Sequence, residues 1–183
     1  MSDAIIRDPT TGLGATVSGE GTDTHLNVLS IAQEEIRHIS SVDGLSFSWT
    51  NATYNYCAAD TILAVRNTCS DRELHIEDIW MYGDTNTRVT VHTTDGASFT
   101  MAGTAVTGVN HNRRSGATAG ACARADETGN TQGNIITQSV FLATTGMTFD
   151  LRGSVILGNG STIGVDYVTD GGAAIVTITG FFD

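Results

Sequence analysis

From Leu45 onward, apolar and polar residues alternate with a period of two in one short run after another. In LSFSWT, Leu45, Phe47 and Trp49 alternate with Ser46, Ser48 and Thr50. TILAVRN sets Leu63 and Val65 on one side, and RVTVHT sets Val89 and Val91 inward with Arg88, Thr90 and His92 outward. IGVDYV alternates through Ile163, Val165 and Tyr167, and AIVTITGFF sets Val176 and Ile178 against Thr177 and Thr179. Successive side chains of a strand point to opposite faces, so this period marks half-buried antiparallel strands. The runs are parted by NTCSDR, YGDTN, TTDGAS, LGNGS and TDGGA, whose Gly, Asn and Asp are turn formers. With SFTM, NIITQSVFLAT and SVIL added, the reading gives about eight to ten strands and no βαβ rhythm. The expected fold is all-β: an antiparallel β-sandwich of jelly-roll type.

The length of 183 residues suits one domain with a sizeable core, and 40% hydrophobic against 16% charged residues is a globular balance. No apolar run approaches the roughly 20 residues of a membrane span. MSDAIIRDPTTGLG has no basic stretch leading into an apolar one, so synthesis in the cytoplasm is expected. All nine basic residues are Arg, and the net charge is −11. Such a chain repels phosphate backbones and anionic lipid, which argues against nucleic acid or membrane as partner. Cys57, Cys69 and Cys122 form no CxxC, so neither a zinc knuckle nor a redox motif is expected; buried free thiols are, with a Cys57–Cys69 bridge as the alternative.

Two segments do not read as strands. Residues 1–21 are rich in Gly and Thr and hold too little apolar surface to offset their ordering entropy. They read as an extended N-terminal arm preceding a single sandwich domain over 22–183. Ile5, Ile6, Leu13 and Val17 are spaced along the arm as isolated anchors for a partner's sheet edge or groove. Residues 110–134 read as one long loop, of the kind that is functional or mobile. Arg113 and Arg114 within it are the paired basic residues available to an acidic partner surface. SIAQEEIRHI, residues 30–39, fits a helix or an extended segment equally.

The densest cluster of reactive side chains is ELHIEDIWMY, residues 73–82. On a strand, Glu73, His75 and Glu77 share one face and Leu74 and Ile76 the other, so the cluster reads as a solvated face opposite a buried one. Both faces turn apolar from Ile79 to Tyr82. Either the strand runs into a covered region, or a β-bulge at Glu77–Asp78 shifts its phase. The partners that metal chemistry would need are missing: HxE is not followed by PCxxC, there is no HExxH, and His75 stands alone. GLGATVSGEG is neither a dinucleotide fingerprint nor a Walker loop. The Asp-Gly and Asn-Gly pairs read as turns, not calcium loops. Asn51-Ala-Thr and Asn159-Gly-Ser match the glycosylation sequon. No catalytic residue, cofactor or metal ligand is assigned, and no enzymatic activity is expected.

The order of these features resembles a known family. The lead GLGATVSGEG…LNVLS, then EEIRHISSVDGLSFSW, the hairpin TILAVRNTCSDRELHIEDIWMYG, the loop GVNHNRRSGATAGACARAD and the end SVILGNGSTIGVDYVTDGGAAIVTITGFF resemble the small jelly-roll decoration, or cement, proteins of tailed phages and tailed archaeal viruses. The resemblance spans about residues 22–183 and is one of spacing and character. It implies a structural virion protein on the capsid exterior, a homotrimer that binds the major capsid protein and stabilises the shell. Similar modules of turrets, head fibres and tails imply an alternative, a receptor- or glycan-binding role for which Trp80, Tyr82 and Tyr54 would serve.

Overall fold

The structure, a computed structural model, describes residues 4–7, 14–17, 43–52, 54–57, 60–130, 132–168 and 172–183. The chain divides into two units, Met1–Glu35 and Ile36–Asp183. In the first, β1 (Ala4–Arg7) and β2 (Gly14–Val17) pair antiparallel, with Ile5 opposite Thr16 and Ile6 opposite Ala15. The helix-or-extended segment 30–39 lies outside the described residues, as does the turn at residues 169–171.

The second unit holds β3 (Ser46–Thr50), β4 (Tyr54–Tyr56), β5 (Thr61–Asn67), β6 (Leu74–Gly83), β7 (Thr87–Thr94), β8 (Thr104–Val106), β9 (Val109–Asn110), β10 (Ala121–Glu127), β11 (Asn134–Phe141), β12 (Gly146–Leu157), β13 (Thr162–Tyr167) and β14 (Gly172–Phe182). They form two antiparallel sheets packed as a sandwich. The β7 sheet runs β11-β7-β13-β5-β10-β8; the β6 sheet runs β12-β6-β14-β3-β9, with β4 also paired to β14.

The period-two runs supply the core between the sheets. Phe47 and Trp49 of β3, Leu63 and Val65 of β5, Val89 and Val91 of β7, Ile163, Val165 and Tyr167 of β13, and Val176 and Ile178 of β14 are all buried in one cluster. Phe47 packs against Trp49 at 6.2 Å between ring centroids and edge-on to Phe182 at 5.9 Å. Each such side chain contributes roughly 1.5–3 kcal/mol on leaving water, which sets the orientation of every strand. Tyr167 holds its hydroxyl proton firmly: burial, with Asp84 and Tyr56 nearby, pushes it up to about 12.

Three expectations are corrected. The long loop over 110–134 is interrupted by β10, which pairs with β5 and β8 and buries Ala123 and Ala125. The outward side of β7 is solvated at Arg88 but not beyond it: Thr90 and His92 are buried although they point away from the sandwich core. They are covered by the segment Asp95–Gly103, whose Phe99 is buried 6.0 Å from the His92 ring. That segment is tied down by an Arg66 guanidinium hydrogen bond to the Phe99 carbonyl, and by Glu127, which accepts the Ala102 and Gly103 N–H groups at 3.0 and 2.8 Å. The thiols are free, but Cys57 is exposed and Cys69 and Cys122 are half-buried.

Candidate functional site

All of ELHIEDIWMY but Glu73 lies on β6, an interior strand between the edge strand β12 and β14. Asp78 pairs with Thr179 and Ile76 with Gly180, which leaves Glu77 as an extra residue on β6. The bulge moves the buried phase from Leu74 and Ile76 to Ile79 and Met81, so Trp80 and Tyr82 emerge on the outer face and are exposed. Of the two expectations for this stretch, the bulge is the one observed. Opposite it, β12 bulges more deeply between Asp150 and Val155, where Arg152 and Gly153 take φ of 51° and 69°.

The outer face of the β6 sheet is thereby assembled from neighbouring strands. Trp80 lies between Thr148 and Thr177, and Thr177 hydrogen-bonds Thr50 at 2.9 Å. One row along, Asp78 lies between Asp150 and Thr179. Beyond it, the His75 ring stacks on Phe181 at 5.0 Å and its Nε2 stands 3.5 Å from the carboxylate of Asp183. Burial, followed by the charges of Asp78 and Asp150, holds the Glu77 carboxyl above its ordinary range. Burial likewise raises Asp78; the Thr179 hydrogen bond lowers it, Asp150 raises it again and His111 lowers it. Asp150 itself takes Arg152 as ion partner at 2.8 Å. Among the described residues no three His, Cys, Asp or Glu side chains converge as a metal site would require. The face offers carboxylates and hydroxyls beside the exposed rings of Trp80 and Tyr82, so it can accept hydrogen bonds and stack. Tyr54 has its backbone on β4; its side chain lies outside the described residues.

Arg113 and Arg114 stand at the tip of a turn between β9 and β10, both exposed and in no ion pair among the described residues. The turn itself is firmly built. Asn110 Nδ2 donates to the carbonyls of Gly44 and Ala117 at 2.7 and 3.1 Å, Asn112 N–H donates to Asn110 Oδ1 at 2.8 Å, and Arg114 N–H donates to Asn112 Oδ1 at 3.0 Å. His111 N–H donates to the Ser46 carbonyl at 2.9 Å, which fastens the turn to β3. Of the apolar residues singled out in the arm, Ile5 and Ile6 fall on β1 and Val17 on β2, while Leu13 lies outside the described residues.

Sequence reasoning missed the most buried polar cluster. Gly133 N–H donates to His92 Nδ1 at 3.1 Å, which leaves the ring proton on Nε2, 3.0 Å from Asp166 Oδ2. The N–H is not aligned on that oxygen, and Asp166 Oδ1 has no partner among the described residues. Gly164 lies against the ring; a Cβ there would come within 2.7 Å of Nε2. The pair is sealed beneath Phe99, so it serves structure, not an exposed chemistry. The sequon asparagine Asn51 is also buried. It accepts Val176 N–H at 2.5 Å and donates to the Ala174 carbonyl at 3.1 Å, so its amide belongs to the sheet. A shallow open cleft near the chain end is lined by Cys69, Asp71, Arg72, Glu73, Asn159 and Asp183. There the Cys69 thiol donates to Asp71 at 3.1 Å and holds that carboxyl below its ordinary range.

No protein-family model, curated protein or solved structure matches the chain.

Proposed function

We propose that this chain is a structural virion subunit without enzymatic activity, a jelly-roll protein that decorates the exterior of an assembled tailed-virus capsid as a trimer. The observation that carries the reading is the strand connectivity. One sheet runs β12-β6-β14-β3 and the other β11-β7-β13-β5 before their added edge strands. β3 pairs with β14, β5 with β13, β6 with β12 and β7 with β11, the pattern left by winding one long hairpin around a core. That winding is what distinguishes a jelly roll from other sandwiches. Fold alone does not name a function. The step to a decoration protein adds the resemblance in order and spacing, together with an acidic, Lys-free composition suited to a surface turned away from the genome.

The test is a cryo-EM map of the intact particle, with binding of the purified chain to undecorated capsids. Hundreds of copies on the shell lattice are expected. A few copies at a vertex or tail overturn the decoration reading. Truncating residues 1–21, or replacing Arg113 and Arg114 with Ala, assigns the capsid contact to the arm or to the β9–β10 turn.

A second reading is favoured by one observation: Trp80 and Tyr82 are exposed two residues apart on one sheet face, beside Thr148, Thr177, Asp78 and Asp150. Aromatic faces flanked by hydroxyls and carboxylates suit a glycan, so a receptor-binding module of a turret or fibre is the alternative. Saturable binding on a glycan array, lost in Trp80→Ala, selects it.

A further inference from the structure

Beside β14 lies the three-residue β4, and among the described residues the end strands of the two sheets are unequal. On one side of the sandwich they are β8 and β9, of three and two residues, too short to template another strand. On the other side they are β11 and β12, of eight and twelve residues, joined by the turn at residues 142–145. β12 is broken by its deep bulge and carries the Asp150–Arg152 ion pair, two devices that discourage edge pairing. β11 has neither defence over Thr137–Phe141, where it runs in unbroken register with β7; its one irregularity lies before Thr137. From Asn134 to Leu142 the chain has no charged residue, in a protein of net charge −11. Ile135, Val140 and Leu142 are 56%, 68% and 59% exposed, and Ile136 is exposed as well.

We propose that the β11 edge is a self-association surface whose occupant is a second copy of this chain. Three features of the chain select that occupant. Free N–H and C=O groups along an edge are satisfied by an extended strand, and β11 itself is one. Two copies of an acidic chain repel over most of their surfaces, so their contact falls where charge is absent. At about 3.4 Å per residue β11 is about 27 Å long. Together with the β12 edge, about 10 Å away, it bounds a flat strip of roughly 270 Å², to which the exposed Ile135, Val140 and Leu142 side chains add, against about 800 Å² per partner in a standard interface. The inference deepens the self-assembly part of the proposed function and is separable from it.

The experiment is sedimentation at micromolar concentration of the full chain and of the variants Val140→Lys, Ile135→Lys and Val109→Lys. Val109 is an exposed aliphatic on the opposite edge and serves as the control. All three positions are exposed, and an unchanged far-UV circular dichroism spectrum with a cooperative melt establishes that each variant is folded. The expected result is an oligomer for the parent and Val109→Lys, with both β11 variants reduced to the 19.2 kDa of one chain. A parent that is itself a monomer overturns both this inference and the trimer. An oligomer that survives both β11 variants overturns the inference and leaves the trimer standing. A parent dimer dissolved by Val140→Lys upholds the β11 contact and overturns the trimer.

Discussion

The buried His92–Asp166 pair gives the sharpest test of how the β7 sheet is held, because its two members should not be equivalent. His92 is 1% exposed and Asp166 3% at the side chain, so neither can recruit water when its partner is removed. In His92→Phe the ring volume and the contact with Phe99 are kept, while both nitrogens are lost. The Asp166 carboxylate is then buried with nothing opposite it, and the Gly133 N–H loses its acceptor. Leaving a buried charged group without its donor costs more than the about 1–3 kcal/mol of a neutral one. Asp166→Asn keeps the shape, removes the charge and still presents an oxygen to the Nε2–H. The Nε2–H is not aligned on that oxygen in the parent, so no formed hydrogen bond is lost and the cost should stay within about 1 kcal/mol. Against a total stability of about 5–15 kcal/mol, the first change is large and the second small. Urea unfolding followed by the fluorescence of Trp49, which is buried in the core, measures both. Equal costs, or a larger cost for Asp166→Asn, would refute the argument that an orphaned carboxylate dominates the energetics here.

Asp150→Asn removes the charge directly opposite Asp78 across β6 and β12 and should stabilise the protein by about 0.5 kcal/mol at neutral pH, the range for a like-charged cross-strand pair. Glu77 and Asp78 have raised folded values, so the folded state binds more protons than the unfolded one, and stability falls as pH rises above their ordinary 4.5 and 3.8. The gain from Asp150→Asn should therefore shrink as pH is lowered through that window, as read from melting temperatures across pH. Asn51→Ala strips the Val176 N–H and the Ala174 carbonyl of buried partners and should cost about 2 kcal/mol in chemical denaturation. Gly164→Ala, whose Cβ would meet His92 Nε2 at 2.7 Å, should cost about 1–3 kcal/mol, whereas Gly116→Ala, with open space around it, should leave the melting temperature unchanged.

The strands that period two made legible are those whose branched and aromatic residues face the sandwich core: β3, β5, β7, β13 and β14. The bulge in β6 was legible only as one of two readings, because a change of apolar phase looks the same in sequence whether the strand bulges or runs under cover. β10 was hidden because ACARADE alternates Ala with polar residues, and Ala has little strand preference of its own. Its burial comes from pairing with β5, a partner distant in sequence. The covered outer face of the β7 sheet was hidden for a related reason. Thr90, His92 and Asp166 look solvated on a strand, but Phe99 and Gly133 lie against His92 and Gln138 bonds Thr90, contacts made by segments distant in sequence. That the β6 face lies open was equally unreadable, since Trp80 and Tyr82 look the same in sequence whether a neighbouring segment covers them or not.

The two kinds of contact inferred for this chain would differ in their response to salt, and that difference separates them within one preparation. A contact through Arg113 and Arg114 brings exposed guanidinium groups to an acidic surface, and screening over about 8 Å at physiological ionic strength already weakens it. Self-association through β11 involves Ile135, Val140 and Leu142 and no charge, so added salt removes nothing from it and reduces the mutual repulsion of two −11 chains. Raising the salt concentration should therefore release the chain from capsids while its own oligomer persists or tightens. The geometry permits both contacts at once. The arginines sit in the turn between β9 and β10, next to the short-edged side, and β11 is the opposite edge of the sandwich, so a self-contact at β11 leaves Arg113 and Arg114 free to meet a shell.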